Sequence, residues 1–296
     1  MRQLFLLLIL LNISIQGHSQ SIKALTYNIR YDNPDDGDDR WELRKAGLMN
    51  VVRKAGPDLA GFQEVLSNQL SDIRKSLPGY AFVGVGRDDG AAAGEFAPLF
   101  YNEKRFMLLE QGYFWLSENP DHPGNGWDAA CNRMCCWLLL KIKSTNRQLL
   151  VLNTHLDHEG VLARNNSIRQ LTAFIREKCD AYVEGRTEEM ASNLSVVLMG
   201  DFNLTPDDKA YAQLIDSRLT LFEGLADAHE ATVNPGIGSD GTFNGFKMEE
   251  APAKRIDYIW TIGMEVKNYR CLDERLANGR WPSDHCAVMA EVDFAE

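Results

Sequence analysis

The chain has 296 residues, 45% of them hydrophobic, with 42 acidic side chains against 31 basic ones and a formal net charge of -11. That length allows one large domain or two small ones. The acidity argues against a broad nucleic-acid binder, which needs a lysine and arginine surface, but not against an enzyme whose cations sit locally beside a metal.

The first element is a leader. One charge, Arg2, precedes an apolar run from Leu4 to Ile13, and small residues follow at Gly17 and Ser19. This pattern predicts a signal peptide over residues 1–19, cleaved after Ser19, because the apolar run is too short to span a bilayer. The mature chain, 20–296, is then secreted or periplasmic, with no transmembrane anchor. Loss of Arg2 takes the formal charge from -11 to -12. There is no internal repeat, low-complexity tract or Gly/Ser/Pro linker, so one domain is the simplest reading.

Short apolar runs rich in branched residues predict strands at 22–29, 58–65, 148–156, 195–203, 255–260 and 286–292. Three-four spacing predicts helices between several of them. Trp41, Leu48 and Val52 mark one ahead of the stop at Gly56-Pro57; Leu66, Leu70, Ile73 and Leu77 mark a second; Ile168, Leu171 and Ile175 mark a third. Residues 78–148 read as strands and turns. The alternation predicts an α/β fold with helices packed outside sheets.

Run after run ends in a polar residue: Asn28, Glu64, His155, Asp201 with Asn203, and Asp257, while Asp284 and His285 precede the last run. Packing gives core strands no reason to end on carboxylates and imidazoles. Six such endings predict convergence on a site at the carboxyl ends of strands. Gly200-Asp-Phe-Asn203 places Asp201 and Asn203 on one face, although the same residues also form ordinary turns. Pro282-Ser-Asp-His285 joins a metal-capable carboxylate to a proton-transfer group. Asp257 lies in an apolar run, where an unpaired charge is costly, and His285 is its candidate partner. Asn153-Thr-His-Leu-Asp-His-Glu-Gly160 reads locally as a metal cage, a catalytic histidine with neighbours, or a polar loop. The tract 33–39, NPDDGDD, reads as a solvated loop. The six cysteines include no CxxC pair, and spacing does not fix disulfide pairing.

Taken in order, LTYNI, GFQEV, GEFAPLFY, an arginine before an apolar run, NTHL, GDFN, RIDYIW and SDHCAV resemble the endonuclease/exonuclease/phosphatase superfamily across nearly the whole mature chain. The resemblance implies a four-layer α/β/β/α sandwich, with two mixed β-sheets face to face and helices outside. It implies hydrolysis of phosphate esters with Mg²⁺, Mn²⁺ being the alternative. Glu64 then corresponds to the principal metal ligand, with Asn28 and Asp284 close by. Asp201 corresponds to the group that orients or deprotonates water, and Asn203 to an amide that steadies phosphate. His285, paired with Asp257, is the second catalytic imidazole. His155 contacts the phosphate, with Glu95 as its expected acidic partner, and Arg133 grips phosphate through its planar fork. Asp157 and His158 become loop neighbours, and zinc is not expected there.

These roles imply a secreted phosphodiesterase or nuclease. Its substrate is extracellular nucleic acid, a phospholipid headgroup or an inositol phosphate, and no stable protein partner is implied. A sphingomyelinase-like or inositol-phosphatase-like esterase uses the same site. Tyr258 weakens the latter, because the 5-phosphatase pattern has arginine after this aspartate. A catalytically dead binding scaffold predicts gaps among the site residues, and the sequence has none.

Overall fold

The computed structural model describes residues 21–184, 193–217 and 224–295. The predicted signal peptide lies outside the described residues. Among the described residues, twelve strands form two six-stranded sheets. The first holds β1 (Ile22–Asn28), β2 (Leu59–Gln63), β3 (Tyr80–Val83), β4 (Leu99–Asn102), β11 (Met264–Leu272) and β12 (Ala287–Phe294), in the order β11-β12-β1-β2-β4-β3. The second holds β5 (Phe106–Trp115), β6 (Met134–Ile142), β7 (Gln148–His155), β8 (Leu194–Asp201), β9 (Ala226–Asp227) and β10 (Asp257–Ile262), in the order β5-β6-β7-β8-β10-β9. Each sheet is antiparallel except for one parallel pair, β1 with β2 and β7 with β8. The predicted strands are all present, with ends shifted by one or two residues.

Strand periodicity builds the layers. Along β7, Leu149 and Val151 face the other sheet, while Leu150 and Leu152 face the helices. Along β8, Val197 and Met199 face inward, Val196 and Leu198 outward. Helices α1 (Trp41–Ala55) and α2 (Ser67–Ser76) cover the first sheet through Trp41, Leu48, Val52, Leu70 and Ile73. Helices α3 (Val161–Val183) and α4 (Lys209–Ile215) cover the second through Ile168, Leu171, Ile175 and Leu214. A one-turn helix, α5 (Ala228–Ala231), follows β9. The order helix, sheet, sheet, helix is the four-layer sandwich expected from the sequence. Burying one Leu, Val or Ile side chain contributes roughly 1.5–3 kcal/mol, so the shared central layer dominates the cohesion.

One polar side chain crosses that central layer. Asn153 of β7 donates to the carbonyls of Phe62, Ala97 and Pro98, and accepts from Gln63 Nε2 at 2.7 Å. A buried amide is tolerated because all its groups are paired. It fixes the two sheets where the parallel pairs end, and those ends carry the polar residues. All six cysteines are free thiols. Cys135 and Cys136 point to opposite faces of β6, one in the outer core and one in the central core.

Candidate active site

The carboxyl ends of β1, β2, β7 and β8 open into a pocket of about 650 Å³, with Glu64, Arg133, His155, Asp201, Asp284 and His285 among its walls. β10 and β12 run antiparallel to their neighbours, so it is their first residues that reach the same edge.

Glu64 leaves β2 with φ of 59°, a left-handed conformation that costs a residue with a side chain. Its carboxylate accepts from Asn28 Nδ2 at 2.9 Å and from the Tyr31 amide at 3.1 Å. Asp284 is raised to about 6, first by burial and then by the charge of Glu64, while His285, Arg30 and Arg44 pull the other way. Two hard carboxylates that repel each other in a buried corner suit a small divalent cation.

Asn28 joins the two halves of the site. Its Oδ1 accepts from the Arg30 amide at 3.0 Å, and its Nδ2 donates to both Glu64 and Asp201. The amide thus bridges two carboxylates, while the turn after β1 takes one of the two lone pairs of its oxygen.

Asp201 and Asp257 are directly opposite across β8 and β10. Asp257 is fully buried and accepts from Thr242 Oγ1 at 2.6 Å, with His285 Nδ1 at 2.9 Å. Burial opposes a charge on His285, but Asp257 and Asp201 outweigh it and hold its pKa well above the usual value. Asp201 is raised to about 7, by burial first and by Asp257 next, and is pulled down by His285, Asn28 and the Asn203 amide. His285 Nε2 lies 3.8 Å from Asp201. Gly200 lets β8 pass this close to β7: a Cβ there would sit 2.0 Å from the Thr154 carbonyl oxygen.

Asn203, itself at φ of 48°, donates to the Leu156 carbonyl at 3.0 Å and meets His155 Nε2 at 3.1 Å. With Asn203 as donor, Nε2 carries the lone pair and the imidazole is neutral. Burial, then Arg133 and Arg87, hold the His155 pKa well below its usual value.

Glu95 is not the partner of His155. Arg87 takes both its oxygens, at 2.8 and 3.0 Å, and the pair forms part of the pocket wall. Sequence reading missed Arg87 because its partner is eight residues away in an irregular loop.

Asp157 and His158 do more than flank the site. Asp157 is buried and takes Arg133 Nε at 3.3 Å, and His158 Nδ1 meets Arg133 Nη2 at 2.9 Å. Arg133 Nη1 is buried with no protein acceptor. Cys131, Asp157 and His158 bring possible ligand atoms within 4.8 Å of one another, but the Arg133 guanidinium already bonds Asp157 and His158 and would repel a cation.

Asp157 also anchors the loop. Despite burial, which raises it, the amides of Gly160, Ala130 and Glu159, with Arg133, lower its pKa from 3.8 to about 2. A depressed carboxylate contributes stability above its unfolded pKa and loses it as pH falls through the folded value. Asp157→Asn is expected to cost about 2 kcal/mol at pH 7, by one pKa unit being 1.36 kcal/mol. Urea unfolding at a series of pH values checks this: the difference shrinks as pH falls below about 4 and is mostly gone near 2.

Residues 25–285 match the Endonuclease/Exonuclease/phosphatase family, and the chain belongs to it. A solved mannosyl-6-phosphatase of Bacteroides thetaiotaomicron superposes with a TM-score of 0.80 at 34% identity, over 93% of this chain and 100% of that one. Nocturnin of Drosophila melanogaster is 24% identical over 86% of this chain and 42% of its own length. The CCR4-Not complex 3'-5'-exoribonuclease subunit Ccr4 of Coccidioides immitis is 22% identical over 93% of this chain and 47% of its own length. The chain thus spans about half the length of those two relatives. Among the described residues, no helix is long and apolar enough to cross a membrane.

Proposed function

We propose that this chain is an exported, magnesium-dependent phosphoesterase that removes phosphate from a small hydroxylated alcohol, of the sugar phosphate kind. The carrying observation is the convergence of Glu64 and Asp284 with the Asp201–His285–Asp257 cluster in one pocket. Export rests on the leader at 1–19. The substrate class rests on the acidic chain and the 34% identity to a mannosyl-6-phosphatase over the full length of that protein.

Glu64 and Asp284 would hold the cation, which supplies positive charge beside the phosphate. Asp201, raised to about 7, accepts a proton from the attacking water near neutral pH. His285 stays protonated on Asp257 and stabilises or protonates the departing alkoxide. Arg133, on the pocket wall with Nη1 unpaired, supplies positive charge to the growing negative charge, and Asp157 and His158 hold its fork in place. Asn203 keeps His155 neutral and oriented beside Asp201.

A nuclease or phosphodiesterase is the second reading, favoured by the Ccr4 similarity. Purified protein should be assayed on p-nitrophenyl phosphate, bis(p-nitrophenyl) phosphate, mannose 6-phosphate and a short single-stranded RNA, each with Mg²⁺ and with EDTA. The expected result is metal-dependent turnover of the monoesters at least about tenfold faster than of the diester, since one tenfold step is 1.36 kcal/mol of barrier. Preference for the diester or RNA overturns the monoester reading in favour of the nuclease. Failure on all four, with the fold intact, overturns both in favour of a dead scaffold.

A further inference from the structure

Helix α1 carries an arginine in its apolar stripe. Trp41, Arg44, Leu48 and Val52 form one buried face, and Arg44 is 1% exposed. A guanidinium at such a place needs acceptors, and carboxylates are the usual ones. Arg44 uses backbone carbonyls instead. Nε donates to Asp39 at 2.7 Å, Nη2 to Arg30 at 2.7 Å, and Nη1 to Ile29 at 2.5 Å and to Pro282 at 3.1 Å. Its flat faces lie near Trp41, 5.1 Å from the ring centre, and Phe246, at 5.7 Å.

Three of the four acceptors come from two segments that bear the site; the fourth, Asp39, lies just ahead of α1. Ile29 and Arg30 follow Asn28, and the Arg30 and Tyr31 amides fix Asn28 Oδ1 and Glu64 Oε2. Pro282 opens the segment that ends in Asp284 and His285. The two segments flank neighbouring strands, β1 and β12, whose ladder runs to Thr26 and Val288; beyond its end Arg44 joins Ile29 to Pro282, and Ser283 Oγ donates to the Asn28 carbonyl at 2.8 Å. Five rigid N–H donors in a plane can serve four carbonyls at once, which a lysine ammonium cannot.

We propose that Arg44 is a positioning residue: it clamps the turn after β1 to the Pro282 peptide and so sets the separation of Glu64 from Asp284. This rests on the reading of those two carboxylates as the cation site. An error of about 1 Å in a hard-cation site is enough to weaken it, because Mg²⁺ demands near-ideal octahedral geometry.

The test uses the full chain and its Arg44→Lys and Arg44→Met variants, with Mn²⁺ affinity measured by calorimetry alongside Tm and turnover at saturating metal. Leu171→Ala, on the buried face of α3 against the other sheet, serves as a control for general destabilisation. Arg44→Lys keeps the buried charge and is the variant expected to fold if Arg44→Met does not. The expected result is an Mn²⁺ affinity about tenfold weaker in Arg44→Lys and weaker still in any folded Arg44→Met, one tenfold step being 1.4 kcal/mol of binding. Turnover recovers in large part at saturating metal, and the Leu171→Ala control binds Mn²⁺ as the wild type does. Arg44→Lys binding within twofold of wild type overturns the positioning role and leaves the cation site standing. A wild-type protein that binds no Mn²⁺ and turns over in EDTA overturns both.

Discussion

Asp201→Asn lowers kcat at pH 7 by about a thousandfold, within the 10²–10⁴ range that one positioned proton acceptor supplies, and leaves the fold intact. Asn is the same size and can keep the acceptor for the Asn203 amide, which Asp201 Oδ1 now binds at 2.9 Å. It cannot take a proton from water, and its NH₂ would face the donor Nδ2 of Asn28. Stability follows from the sign of the shift. The Asp201 pKa is raised to about 7, by burial and then by Asp257 directly across the ladder. A raised carboxylate destabilises the fold as pH climbs from its unfolded value through its folded one. Measured in EDTA, the variant should therefore melt no lower than wild type at pH 5 and a few degrees higher at pH 8, a few degrees being about 1 kcal/mol for a chain of this size. Loss of turnover together with loss of the native melting transition would make Asp201 a structural residue. A variant that keeps a tenth of wild-type kcat would remove it from the chemistry.

The sequence exposed most of this architecture because strands buried on both faces are continuous apolar runs, and an interruption by Asn, Asp or His stands out. Asn28, Glu64, His155, Asp201 and Asp257 were visible for that reason, as were the strands that carry them. The His285–Asp257 contact at 2.9 Å was accessible by elimination, since a buried aspartate in RIDYIW needed a partner. Pairings between loops were not accessible. Glu95 went to Arg87 rather than His155, and Asn28 turned its oxygen to its own turn, because backbone amides and nearby guanidinia compete locally in ways that spacing does not encode. Arg44 does carry a signal in the sequence: it falls three residues after Trp41 and four before Leu48, on the stripe that packs against the first sheet. A charged residue at core spacing asks the same question as a carboxylate at a strand end.

Glu64 gives the second large effect, and here fold and function pull apart. Glu64→Gln keeps the shape and an acceptor for the Tyr31 amide, which Oε2 now binds at 3.1 Å. It removes the charge that a divalent cation needs. Turnover at about 1 mM Mg²⁺ should fall at least a hundredfold, as expected when a hard carboxylate ligand becomes a neutral amide. Mn²⁺ affinity measured by calorimetry should fall with it. Glu64→Gly should lose still more activity, yet keep Tm within about 3 °C. Glycine takes φ of 59° without the cost a side chain bears there, a relief of about 1 kcal/mol or more. It also removes the repulsion that Glu64 exerts on Asp284 and Glu95. Against this stand the two hydrogen bonds from Asn28 and Tyr31 to a half-buried carboxylate, each about 1.5 kcal/mol. Near-cancellation means that the stability of the metal-free protein gives little reason for a strained glutamate at this turn, which fits its proposed role as a ligand. If Glu64→Gln binds Mn²⁺ as tightly as wild type, the cation sits elsewhere. If Glu64→Gly unfolds, the carboxylate is a structural cap of the turn after β1, and the strain at Glu64 needs another explanation.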